Sequence, residues 1–162
     1  MMVGRLWKNQ QGLTLIEMLI AVTILAILAS AVIPFAEVNV KRTKELELRR
    51  SLRLMRTAID DYKADYDKAV AQKKISAVVG ETGYPESLDI LLEGTDWGGL
   101  YPYKRKYLRR LPRDPFDKYG DGWGLRAYED DHDSTIWGGN DIYDVYSQSD
   151  LTALDGTPYN TW

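Results

Sequence analysis

From residue 13 to residue 33 the chain is apolar at almost every position, LTLIEMLIAVTILAILASAVI, with Glu17 as its single charge. As a helix rising 1.5 Å per residue, these 21 residues reach roughly 30 Å, the thickness of a bilayer's hydrocarbon core. The pattern predicts a membrane-spanning helix. Ala21, Ala26, Ala29, Ser30 and Ala31 lie among its larger residues and let other helices approach closely, so packing against copies of itself is expected. An ordinary anchor would account for the apolar run but not for an acid five residues after Gly12. An ionised side chain here costs roughly 3 kcal/mol and marks a functional position by default. Pro34, at the far end, removes the donor for the Ser30 carbonyl, which predicts a bend or loosening in a helix that continues beyond it.

From Glu37 to about Lys74 there is no Gly or Pro, and helix formers dominate. Leu48, Leu52, Met55, Ile59, Tyr62 and Tyr66 step by four or three, a narrow apolar seam on a charged helix. A short coiled coil would use the same spacing, but the two tyrosines suit packing under a sheet. Glycines and prolines from Gly80 to Pro102 mark a connecting segment, within which Pro85–Leu92 predicts a short helix with Glu86 and Asp89 in its first turn. Residues 123–128 and 141–146 are aromatic and aliphatic segments joined by the polar loop 129–140, which predicts an antiparallel hairpin. The expected fold class is therefore α+β: a long N-terminal helix packed on a small antiparallel sheet, followed by acidic C-terminal loops.

Length and charge refine this picture. One anchor and one small domain suit 162 residues, with the boundary expected near residues 36 and 37. Arg5 and Lys8 precede the apolar run without an acid, so the N-terminus is expected in the cytoplasm and the C-terminal domain across the membrane. Residues 37–113 carry 17 Lys and Arg against 12 acids, whereas residues 114–162 carry 2 against 11. This acidic balance argues against nucleic acid. The basic cluster Lys41, Arg42, Lys44, Arg49, Arg50, Arg53 and Arg56 could attract anionic lipid or nucleic acid, but reads more readily as a solvated face or as a contact with acidic patches of neighbouring subunits. No cysteine is present, so no disulfide staples the loop-rich tail.

The stretch Gly12-Leu13-Thr14-Leu15-Ile16-Glu17 resembles the class III signal of type IV pilins and pseudopilins: a short basic leader, Gly, a hydrophobic residue, then Glu at the fifth mature position. Leu13 stands where family members usually carry Phe. The resemblance implies residues 1–12 as a leader, cleavage between Gly12 and Leu13 by a prepilin peptidase, and N-methylation of Leu13. It also implies assembly roles for Glu17 and Pro34. Leu111, Pro112, Asp114, Pro115 and Phe116 resemble the LP-DP segment of major type II secretion pseudopilins, although two prolines alone would give an extended loop in any protein.

Asp141, Asp144, Asp150 and Asp155, with Asn160, crowd the acidic tail. Hard cations such as calcium take six to eight oxygens, which suits such loops, whereas composition alone favours solubilising acids. No EF-hand spacing occurs: in DKYGDGWG, from Asp117, the third position is Tyr119. Major pseudopilins place an Asp-rich calcium loop here, and the resemblance implies structural calcium held by Asp144, Asp150, Asp155 and Asn160.

Catalysis is not expected, since His132 is the lone histidine and neither a nucleophile elbow nor a phosphate loop occurs. The resemblance implies a filament subunit, residues 13–36 being the membrane half of its helix and residues 37–162 a periplasmic head. It implies the major pseudopilin of a type II secretion system, in the bacterial inner membrane and then in a periplasmic pseudopilus. Implied partners are further copies, other pseudopilins, the prepilin peptidase, the inner-membrane assembly platform and its ATPase. Alternatives are a type IV pilin for adhesion, motility or DNA uptake, and a monomeric membrane-tethered binding protein.

Overall fold

The computed structural model describes residues 12–162. The leader expected at residues 1–12 thus lies outside the described residues, apart from Gly12. The chain divides between Val40 and Lys41 into two compact units. One helix, α1 (Leu15–Ala71), contributes to both and runs through Pro34.

In the second unit, the seam does what its period requires. Leu48, Leu52, Met55 and Ile59 are buried, each contributing about 1.5–3 kcal/mol by leaving water. Tyr62 is partly buried and meets Trp97 edge-on, with ring centroids 4.8 Å apart. Helix α1 ends slightly before Lys74 without a glycine. Lys73 takes the left-handed conformation, φ 56°, and the N–H groups of Lys73 and Lys74 bond back to the Val70 and Ala69 carbonyls at 2.9 Å, a Schellman ending.

Helix α2 (Leu88–Glu93) starts later than the apolar pattern suggested, with Ser87 before it, and buries Leu91 against the seam. The Leu91 carbonyl then accepts the N–H groups of Tyr107 and Leu108, both at 3.0 Å, which ties the connecting segment to the helix.

Strands β1 (Trp123–Arg126) and β2 (Asp144–Ser147) pair antiparallel, Trp123 opposite Ser147 and Arg126 opposite Asp144. They are shorter than the expected segments, and β2 starts at Asp144 rather than Asp141. The reason is that the Asp141 side chain is committed to the loop: it accepts the Tyr128 N–H at 2.8 Å and the Thr82 hydroxyl. Gly124 lies against the Tyr146 ring, where a Cβ would overlap the ring atoms. A 3-10 turn, Tyr159–Thr161, follows. Leu108, Phe116, Trp123, Ile142, Val145, Ala153 and Tyr159 complete the core around the seam.

Candidate functional site

The first unit contains the residues expected to act in processing and assembly. Gly12, Leu13 and Thr14 precede α1, and the Thr14 hydroxyl oxygen accepts the Glu17 N–H at 3.3 Å, satisfying one of the free donors of the first turn. Glu17 stands in that turn, where the helix dipole favours an acid. A Cβ at Gly12 would meet nothing within 4 Å, so the fold itself does not demand glycine there. Leu15, Ile16, Leu19, Val22, Leu25, Leu28 and Val32 are all exposed. The apolar part of α1, mean hydropathy 2.6 in its best window, is long enough to cross a membrane.

The acidic tail is built otherwise than its composition suggested. Glu45, a buried acid on α1, accepts the Leu154 N–H at 2.7 Å and the Tyr159 hydroxyl at 2.9 Å on one carboxylate oxygen. Tyr159 is fully buried and stacks on Phe116 with centroids 4.0 Å apart. Burial, then donation to Glu45, pushes the Tyr159 hydroxyl well above its ordinary pKa. About three turns further along α1, Arg56 donates to Asp144 at 2.7 Å, to the Val145 carbonyl at 3.2 Å and to the Trp162 carbonyl at 2.9 Å. Arg49 lies over the Trp162 ring, 4.2 Å from its centroid, and meets Asp155 at 3.4 Å. The tail is thus latched to α1 by side chains about a hundred residues away in sequence.

In that geometry Asp144, Asp150 and Asp155, the acids expected to hold calcium with Asn160, do not converge on one point. Asp144 serves as counter-ion to Arg56 and to the buried Arg126 guanidinium, at 2.7 and 3.4 Å. Asp155 accepts the Thr157 hydroxyl at 2.6 Å and N–H at 3.0 Å, which holds its carboxyl below the ordinary range, and its other oxygen faces Arg49. The Asn160 carbonyl accepts from Arg126 at 3.4 Å. Asp150 lies apart, lining a small groove with Asp114, Asp117 and Asp121. There Asp117 already accepts four backbone N–H groups, those of Gly122 and Gly120 foremost in lowering its pKa, and Asp114 takes the Phe116 N–H and the Ser147 hydroxyl. Among the described residues no three acidic or histidine side chains converge on one point. Asp144 and Asp155 thus answer guanidinium, hydroxyl and amide donors of the protein itself.

Other polar anchors were not singled out in the sequence. Asp65, buried on α1, takes the hydroxyls of Tyr101 and Tyr107 at 2.9 and 2.7 Å and pairs with Arg105 at 3.0 Å. Burial and that bond to Asp65 raise the Tyr107 hydroxyl pKa far above normal. Glu45 lies three residues before Leu48 and Asp65 three after Tyr62, so each extends the apolar seam; an acid in seam register was the available signal. Asp114 of the LP-DP segment proves structural, joining that segment to β2 through Ser147. His132 is exposed.

Residues 7–33 match the prokaryotic N-terminal methylation motif. Over 138 residues the chain is 29% identical to type II secretion system core protein G of Pseudomonas aeruginosa, covering 80% of this chain and 94% of that protein. The chain is a homologue of core protein G. Core protein G of Aeromonas hydrophila is 29% identical over 67% of this chain and 69% of its own, and that of Vibrio cholerae 28% identical over 67% of each. No solved structure gives a significant match. The methylation motif spans Gly12, Leu13 and Glu17, so the segment whose glycine the fold does not need is the segment the motif identifies.

Proposed function

We propose that this chain is a structural subunit of the periplasmic pseudopilus with which a type II secretion system drives folded proteins out of the cell. The observation that carries the reading is the exposed apolar part of α1, preceded by the Gly12–Leu13 junction within a matched methylation motif, in a homologue of core protein G. A precursor with its basic leader in the cytoplasm inserts α1 in the inner membrane; a prepilin peptidase removes the leader and methylates Leu13. The apolar face then exchanges lipid for the helices of other copies and of other pseudopilins, on an assembly platform driven by its ATPase. The work of the chain is assembly rather than catalysis.

Within such a filament the Glu17 carboxylate is withdrawn from water, and a buried charge is tolerated only with a partner. The amine of Leu13 on a neighbouring copy supplies it, since residues four apart share a helix face and a small axial offset brings one terminus beside another chain's Glu17. Glu17→Ala leaves that amine unpaired, at a cost of roughly 3–5 kcal/mol per contact, while insertion survives because an acid has left an apolar segment. The variant is expected to accumulate in the inner membrane and to give few filaments in the sheared fraction. Wild-type filament yield from Glu17→Ala would refute the pairing.

A further inference from the structure

Leu46, Arg50 and Leu54 follow one another at four-residue steps on α1 and so share a face distinct from the buried seam. Leu46 is 64% and Leu54 51% exposed. They form one wall of an open groove of about 860 Å³, whose other wall is the segment 110–113. Arg50, Arg110 and Arg113 stand there against one acid, Glu47. None of these arginines forms an ion pair among the described residues. A basic groove with an apolar floor is thus open on the second unit.

The loop 129–137, EDDHDSTIW, has the opposite character. Glu129, Asp131 and Asp133 are exposed, and none is ion-paired among the described residues. Ile136 is 80% exposed, an apolar side chain displayed among acids. The loop is also braced from within. Asp130 accepts the N–H groups of Ala127 and Gly138 at 2.7 and 3.1 Å, Arg126 donates to the Ser134 carbonyl at 2.8 Å, and the Trp137 indole donates to the Asp141 carbonyl at 2.7 Å. Solubilising acids need no such bracing. A preorganised loop loses little conformational freedom on docking, so more of its contact energy remains for binding.

We propose that the 129–137 loop of one copy docks in the groove of the next, Ile136 against Leu46 and Leu54, Asp131 and Asp133 facing Arg110 and Arg113. Opposite charge on the two surfaces and an apolar contact in each select a second copy of this chain as the occupant. The surfaces differ, so every copy offers one loop and one groove. Such a heterologous contact repeats head to tail and, where its rotation closes no ring, builds an open filament rather than a closed dimer. The inference rests on the filament-subunit reading and names the head contact that would accompany helix packing.

The natural chain has no cysteine, which makes crosslinking clean. Cells would express two differently tagged full-length chains, one Leu54→Cys and one Ile136→Cys, and sheared filaments would be oxidised and mapped by mass spectrometry. A disulfide between positions 54 and 136 of different chains is expected. Arg110→Asp with Arg113→Asp should lower filament yield about tenfold or more, as loss of close interfacial charge pairs does. Adding Asp131→Arg and Asp133→Arg to the same chain should restore it, which also shows that the reversed groove folds. Filaments that form without the 54–136 link, and whose yield ignores the charge reversal, would overturn the docking while leaving the subunit reading intact. Failure of the wild-type chain to form filaments would overturn the subunit reading, and the docking with it.

Discussion

Replacing Glu45 with Ala should unlatch the acidic tail. The Glu45 carboxylate oxygen takes the Leu154 N–H at 2.7 Å and the hydroxyl of the fully buried Tyr159 at 2.9 Å. A hydrogen bond to a charged acceptor is worth about 1.5–3 kcal/mol, and one oxygen serves both donors here, so the expected loss is about 3 kcal/mol rather than twice that. At roughly 3–5 °C per kcal/mol for a domain of this size, the midpoint should fall by about 10–15 °C. Glu45→Gln keeps an acceptor and loses its charge, for about half the effect. Tyr159→Phe should cost about 1–2 kcal/mol alone and little more once Glu45 is Ala, since both changes break one bond. The assay is thermal unfolding of detergent-solubilised full-length protein, followed by near-ultraviolet circular dichroism, in calcium and in chelator. The midpoints in the two buffers should coincide, whereas an ion at a hundredfold excess over its Kd would add about 2.7 kcal/mol. A Glu45→Ala midpoint equal to wild type would refute the latch as the device that closes the tail, and a wild-type midpoint raised by calcium would show an ion bound by the folded tail as well.

Other outcomes follow from the same structure. A bulky residue at Gly12 should leave the fold intact yet give an uncleaved precursor, while wild-type protein should show N-methylated Leu13 by mass spectrometry; an intact Met1 on assembled protein would contradict this. The raised hydroxyls of Tyr107 and Tyr159 favour the neutral form in the folded state. Their contribution should therefore be complete below the unfolded tyrosine value of about 10 and decline as pH rises from there toward the folded values. Urea titrations between pH 8 and 11 should show that decline, smaller in Tyr159→Phe; an equal decline in both would remove Tyr159 from the account.

The seam from Leu48 to Ile59 was legible because a 3.6-residue period leaves one stripe, and any fold of this helix must cover that stripe. The apolar run and Glu17 were legible because no soluble packing calls for 21 such residues around one acid. The destination of the tail carboxylates was not. Asp144 meets Arg56 across 88 positions and Glu45 meets Tyr159 across 114, and nothing local distinguishes an acid awaiting a guanidinium from one awaiting a metal. Strand edges failed similarly, since Asp141 looks like the start of a strand until its bonds to Tyr128 and Thr82 are seen. Asp65 and Glu45 break the apolar stripe, and only the tyrosines brought from elsewhere explain why an acid is stable there.

The most direct test of the central claim is the amount of exported protein in the medium of cells lacking the gene, complemented with wild type, Glu17→Ala or nothing. Export should be lost on deletion, restored by wild type, and left unrestored by Glu17→Ala despite normal membrane levels. Full export from the deletion strain, together with loss of surface pili, would contradict the secretion role and make the chain a pilin instead.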